Sequence, residues 1–373
     1  MIVAIMLCVI CVGIFKKNIV SSYISLALLI WIIFLVPHDI YMNNDYEAYL
    51  YAFENPNSVD MESGFIWLLR TFSDFGFSFD QTRWTFLIIV TFIFWYGFRK
   101  ISKDWSLVLV GYFFSTFFID QVQLRNTIMF GIVFIGLALL LKTGPTKKSS
   151  IFFILMIILA GSVQISGFLY IFILLFCKFY MSNPKKIGTE SSSFLVAVKT
   201  FFSTLLIFFA AHYTMAPILN RVQSILPVHF VQGYLQSDAK GGGQVTGHEL
   251  YVYSIQLAVI ITVLVILIRE YKIKSQIQNS SLSLAVLTGI EKFNYLLVLL
   301  ISVNFNFFRL LRNEWILILI LMAILSKEHK RSYLSLSTFV GIIGIGAMGL
   351  WWSSKLVYSN LILPTVTSII SYL

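Results

Sequence analysis

Charge is what this sequence has least of. Asp, Glu, Lys and Arg make up 12% of its 373 residues, about half the share a soluble globular domain carries. That shortage excludes an ordinary soluble domain. The 58% hydrophobic and 16% aromatic content excludes a disordered chain, which cannot hold so much apolar surface. Cysteine is scarce too: Cys8, Cys11 and Cys177 all sit inside apolar runs. No disulfide framework outside a membrane fits them, and the Cys8/Cys11 pair lacks a second ligand pair for zinc.

What is there in abundance is long apolar runs, and the mean hydropathy is +0.85. A bilayer core of ~30 Å takes roughly 20 apolar residues per helix, so the chain reads as an all-α polytopic membrane protein, a single transmembrane domain over 1–373. Candidate spans fall near 2–15, 19–36, 84–98, 105–119, 126–141, 151–163, 166–178, 194–211, 250–268, 283–303, 313–325 and 333–350. About twelve transmembrane helices are therefore expected. No basic segment precedes the first run and no small-residue cleavage site follows it, so it reads as a retained span with its amino terminus outside. The Pro-broken tail after 351 is also placed outside.

The run 151–178 is interrupted by Gly161-Ser-Val-Gln-Ile-Ser-Gly167, and its flanks decide how to read it. Lys142, Lys147 and Lys148 precede it while Lys178, Lys185 and Lys186 follow it. Positive charge collects on the cytoplasmic side, so both ends lie there and the run is a broken hairpin. With that topology, cytoplasmic segments hold 19 Lys/Arg against 5 Asp/Glu, and external segments hold 8 against 12. The asymmetry accounts for the net charge of +10 without a nucleic-acid partner, for which no motif is present.

Two long external loops carry most of the unusual polar residues. The first, 37–83, is acidic, with a short helix expected from Asn44 or Asp45 through Phe53. A second helix opens at Glu62, its Phe65, Leu68, Leu69 and Phe72 recurring at helical spacing. The amphipathic pattern places that second helix on the membrane surface. The other loop, 212–249, holds His212, Arg221, His229, His248 and Glu249 around a glycine-rich stretch and reads as a lid. His248-Glu249 starts like a zinc-protease motif, but Val252 stands where the second histidine belongs. No spacing of His, Cys, Asp or Glu reads as a metal site, and no cofactor motif is present.

Charges at membrane depth are costly unless paired or hydrated, which makes those at span ends the first candidates for chemistry. Arg125 sits between two spans with almost no loop, five residues after Asp120. Arg309 and Arg312 stand three apart, on one helical face. Planar guanidinia that never lose their charge suit a diphosphate. The alternative is that they snorkel to the interface or pair with Glu314.

Asn44-Asp45-Tyr46-x-x-Tyr49-x-x-x-Phe53, then Glu62-x-Gly64-Phe65 with Leu68-Leu69, then Gln123-Leu124-Arg125-Asn126 opening a span, the broken hairpin and a late arginine-rich turn together resemble the EpsG-type family of Wzy-like polysaccharide polymerases. Two positions depart from that pattern. Gln164 stands where the family usually has a histidine at the hairpin apex, and Gln cannot take a proton near neutral pH. Pro37-His38-Asp39 replaces an arginine-bearing position.

The resemblance implies an integral-membrane glycosyltransferase of the bacterial cytoplasmic membrane, working at its external face. It would join oligosaccharide repeat units carried on undecaprenyl diphosphate. Arg125, Arg309 and Arg312 would bind the diphosphate and stabilise its growing charge. Glu62, Asp45 or Asp120 would orient or deprotonate the acceptor hydroxyl. Gln164, Tyr49 and His248 are candidates to touch sugar. Transfer is expected to need no metal, and the partners implied are lipid-linked oligosaccharides, membrane lipids and a chain-length regulator. A flippase for the same lipid would show two related halves, which this sequence lacks. A ligase would use the same donor. An acyltransferase would want a histidine inside the bundle, and a channel polar faces along several spans.

Overall fold

A computed structural model describes residues 19–35, 44–102, 116–182, 193–223, 247–275, 282–303 and 307–328, with 105, 108, 109, 111 and 112. Among these, every regular element is a helix. In chain order they are α1 (Ile19–Leu35), α2 (Asn44–Glu54), α3 (Ser63–Asp74), α4 (Phe79–Ile101), α5 (Phe117–Val122), α6 (Leu124–Thr143) and α7 (Lys147–Val163). A 3-10 segment (Ile165–Tyr170) follows, then α8 (Ile171–Ser182), α9 (Ser193–Gln223), α10 (Gly247–Ser275), α11 (Leu284–Val303) and α12 (Phe308–Glu328).

Local chemistry sets several of the boundaries. Ser78 starts α4 with a reciprocal cap, its side chain taking the Gln81 N–H while Gln81 takes the Ser78 N–H. Thr146 caps α7 by accepting from the Ser149 N–H. Gly144 ends α6 at φ +72, a left-handed backbone that glycine adopts without steric cost. The turn it makes sends α7 back against α6.

Five helices are long and apolar enough to cross a membrane: α4, α6, and within α9, α10 and α11 the stretches Phe194–Thr214, Ser254–Ile273 and Leu284–Ser302. The chain is an all-helical, multi-pass membrane protein. The expected count of twelve spans is not reached among the described residues, for three reasons. The runs 2–15 and 333–350 lie outside them, and 105–119 is described only in part. The helices α1 and α7, at 17 residues each, measure ~25 Å at 1.5 Å per residue, a little less than the apolar core, and α8, at 12 residues, is shorter still. And α12 opens with Arg309, Arg312 and Glu314 in its first two turns.

Contacts between helices give their relative directions. A Cβ on Gly131 would meet Val90, and one on Gly97 would meet Phe134, so α4 and α6 run parallel. The chain must cross back between them, and the described residues of that stretch, including Trp105, Val108, Leu109 and Tyr112, are buried. Phe293 packs on Tyr170 while Gly289 lies against Ile173 and Cys177, so α8 and α11 run antiparallel. The starts of α6 and α12, the ends of α7 and α11, and all of α2 and α3 therefore share one end of the bundle.

The expected loop at 212–249 begins later than the hydropathy suggests, because α9 stays helical to Gln223. Residues 224–246, with His229 and the glycine-rich stretch, lie outside the described residues, as do His38 and the tail after 351.

Candidate active site

The common end is built around two arginines, Arg312 buried and Arg125 half-buried. Arg312, in the second turn of α12, sends one guanidinium nitrogen to Asp120 Oδ1 at 3.2 Å and the other to Gln123 Oε1 at 2.8 Å. Asp120 is 5% exposed and also takes a hydrogen bond from the Tyr112 hydroxyl. Thr127 closes the α5–α6 corner by donating to the Asp120 carbonyl at 2.9 Å. Of the alternatives the sequence left for Arg312, pairing with Glu314 is not what occurs. Glu314 faces the other way, fully buried beside Asn294 and Tyr170.

Arg125, in the first turn of α6, pairs with Glu62 Oε2 at 2.6 Å. The other Glu62 oxygen accepts the Ile165 N–H at 3.0 Å. Glu62 occupies the N-cap position of α3 but does not cap it. Its carboxylate is spent instead on the arginine and on the backbone at the helix break, 103 residues away. Gly64 makes this possible: a Cβ there would stand 2.6 Å from the Ser162 carbonyl oxygen, so only glycine lets α3 lie directly on the end of α7.

The break itself falls at Gln164, whose backbone is extended (φ −151, ψ 122) between α7 and the 3-10 segment. Gly167 folds back so closely that a Cβ would meet the Ala160 carbonyl carbon at 2.9 Å. The Gln164 side chain is buried and its Oε1 has no hydrogen-bond partner among the described residues; nor has the Ser166 hydroxyl. Irregular backbone of this kind at a membrane helix is tolerated where it is enclosed by protein.

Above the two arginines lie α2 and Arg309. Tyr49 is buried edge-on against Phe65, ring centroids 5.3 Å apart, within electrostatic reach of Asp45, Arg125 and Arg309. Burial pushes its phenol up to about 12, so it stays a neutral donor at any working pH. Tyr46 donates to Asp80 at 3.0 Å. Asp45 and Arg309 are both half-buried, and neither has a hydrogen bond or ion pair among the described residues, although both act electrostatically on Arg312. Arg309 and Arg125 each stand in the first turn of a helix, where the backbone dipole adds positive potential.

Of the nine residues singled out from the sequence, Glu62, Asp45, Asp120, Arg125, Arg309, Arg312, Gln164 and Tyr49 gather at this end. His248 falls in the first turn of α10 with its side chain outside the described residues. His212, read as a loop residue, is inside α9, its Nδ1 2.7 Å from the Ser302 carbonyl oxygen. Asn126, Asn313, Tyr170 and Tyr112 were not singled out. Asn126 and Asn313 had one available signal, that each directly follows a candidate arginine. Among the described residues no group of three or more His, Cys, Asp or Glu is clustered.

A family model described as the EpsG family matches residues 22–365, a stretch that includes every site residue named above. The chain belongs to the EpsG family. No curated protein and no solved structure matches it. EpsG membership links the chain to exopolysaccharide synthesis at a membrane. It also agrees with the motifs read from the sequence, whose Glu62-x-Gly64 element now has a physical reason: a carboxylate that reaches the hairpin break, and a glycine that lets it.

Proposed function

We propose that the protein is a glycosyltransferase that polymerises oligosaccharide repeat units linked to undecaprenyl diphosphate, at the external face of the bacterial cytoplasmic membrane. The observation that carries this reading is the division of labour among six charged groups at one end of the bundle. Glu62 and Asp120 hold Arg125 and Arg312 in place, while Arg309 and Asp45 have no hydrogen bond or ion pair among the described residues.

In this reading Arg309 takes the donor diphosphate, with Arg125 and Arg312 and the first turns of α6 and α12 adding positive potential behind it. The acceptor hydroxyl oxygen attacks the anomeric carbon of the donor sugar. The bond from that carbon to the diphosphate oxygen breaks, and the diphosphate leaves with the electron pair. Asp45, the one candidate carboxylate not already engaged, takes the hydroxyl proton. The arginines act on charge that grows only as that bond breaks, which is where fixed positive charge lowers a barrier most. Gln164 and Tyr49, too weakly acidic or basic to move the proton, contact sugar, and a chain-length regulator is the expected partner.

Deleting the gene and comparing surface polysaccharide with extracted lipid-linked sugars tests the reading. Long chains should vanish while single repeat units still reach the outer surface. If single units instead accumulate on the cytoplasmic side, the protein is a flippase. If long chains form but are not passed to a final carrier, it is a ligase.

A further inference from the structure

Behind the arginines runs a set of hydrogen bonds that touches neither of them directly. Asn126 and Asn313 face each other across α6 and α12, with Asn126 Nδ2 3.1 Å from Asn313 Oδ1 and Asn313 Nδ2 3.5 Å from Asn126 Oδ1. Asn313 Nδ2 also donates to the Tyr170 hydroxyl at 3.1 Å. All three side chains are buried. Asn126 immediately follows Arg125, and Asn313 immediately follows Arg312.

These bonds close two rings that share the first turn of α6. In one, Arg312 reaches back to Asp120 and Gln123 while Asn313 holds Asn126, so α12 is tied to the α5–α6 corner at two heights. In the other, Arg125 holds Glu62, Glu62 holds the Ile165 N–H, and the short 3-10 segment from Ile165 ends at Tyr170, which Asn313 holds. Helices that cross a membrane gain little from apolar contact with one another, because lipid is as apolar as leucine. Apolar packing alone would let α6 and α12 slide or rotate by fractions of a turn. A paired amide with fixed donor and acceptor positions does not.

We infer that Asn126, Asn313 and Tyr170 are positioning residues, a latch that sets the separation and rotation of Arg125 and Arg312 and couples both to the hairpin break. The inference rests on the site reading above and extends it to residues that no substrate touches. Misplacement by about 1 Å at such a distance can cost up to ~100-fold in rate, so the latch matters more to the site than its two or three hydrogen bonds matter to stability.

The test replaces both amides with a near-isosteric apolar pair, Asn126→Leu with Asn313→Leu, in a Tyr170→Phe background that removes the hydroxyl Asn313 would otherwise leave unpaired, in the full chain purified in detergent. Removing both partners of a buried hydrogen bond together is close to neutral for stability, so thermal melting should stay near that of the natural chain. Binding of undecaprenyl diphosphate, the probe, should nevertheless weaken by ~10-fold or more. Each single replacement should weaken it about as much as the double, because the two residues act as one unit. Hydrogen exchange at backbone amides 123–127 and 309–314 should quicken in the double variant and stay unchanged in α9 and α10. Binding equal to that of the natural chain in a double variant that melts normally overturns the latch. If the natural chain itself does not bind the probe, the diphosphate reading fails, and hydrogen exchange alone decides the latch: unchanged exchange at 123–127 and 309–314 overturns it.

Discussion

Where α6, α12 and the break after α7 meet, two guanidinia are held by Glu62, Asp120 and Gln123, with the bonds of Asn313 and of the Ile165 N–H behind them. At the opposite end of the bundle, where α10 meets the first turns of α11, Lys272 reaches Glu291 at 3.1 Å and Lys292, lying over the Tyr295 ring, reaches its other oxygen at 3.7 Å. Both ends bury charge at a membrane boundary. Arginine forks fix direction as well as charge, and the amides behind them fix it further. Lysine supplies a point charge on a flexible stem, enough to hold a helix end on one side of a bilayer. The difference separates a built site from a topological marker, although a count of ion pairs would score the two ends alike.

Removing one partner should expose that difference most sharply at Asp120. Asp120→Ala leaves the Arg312 guanidinium buried without its carboxylate, and the cost expected is about 3–5 kcal/mol, read as a large drop in the melting temperature of the purified protein. Next is Arg309→Ala, which breaks no hydrogen bond or ion pair among the described residues. Its melting curve should not move, yet transfer should fall ~100-fold, the loss typical of one group that stabilises developing negative charge. Gly64→Ala pushes α3 off Ser162 and loosens Glu62 from the Ile165 N–H. A strain of about 1–3 kcal/mol is expected, with shorter surface polysaccharide on gels while α10 and α11 keep their exchange protection.

At the other end Lys272→Ala should leave transfer per folded molecule unchanged even where it lowers the melting temperature; loss of transfer there would erase the comparison. Smallest within the working range is the effect of pH on Tyr46 and Tyr49, whose phenols burial raises to about 12. The unfolded chain ionises them near 10, so their contribution is complete below about pH 10 and is lost as the pH climbs toward about 12. Melting followed from neutral to strongly alkaline pH checks this.

Much of the site was legible because charge is so rare in this chain. Arg125, Arg309 and Arg312 stand out in apolar surroundings, and the lysine flanks of 151–178 set the hairpin's ends without any structure. The pairings were not legible. Nothing in the spacing says that Arg312 takes Asp120 rather than Glu314, two residues along its own helix, because that choice depends on how α12 is rotated against the α5–α6 corner. Nor does it say that Glu62 gives up capping α3 to reach a backbone N–H at Ile165. The amide latch was hidden for a different reason: Asn126 and Asn313 look like polar residues tolerated at helix starts until their partners across the bundle are known. Hydropathy placed the end of α9 too early, since a helix that leaves the apolar layer need not stop there.

Whether this end of the bundle joins lipid-linked repeat units is decided by reconstitution. The purified full chain in liposomes, given undecaprenyl-diphosphate-linked repeat units with chelator present, should convert them into a ladder of longer lipid-linked chains, and the Arg309→Ala protein, inserted in equal amount, should not. A preparation of the natural chain that leaves single units unchanged, or a ladder of equal length from Arg309→Ala, would contradict the account.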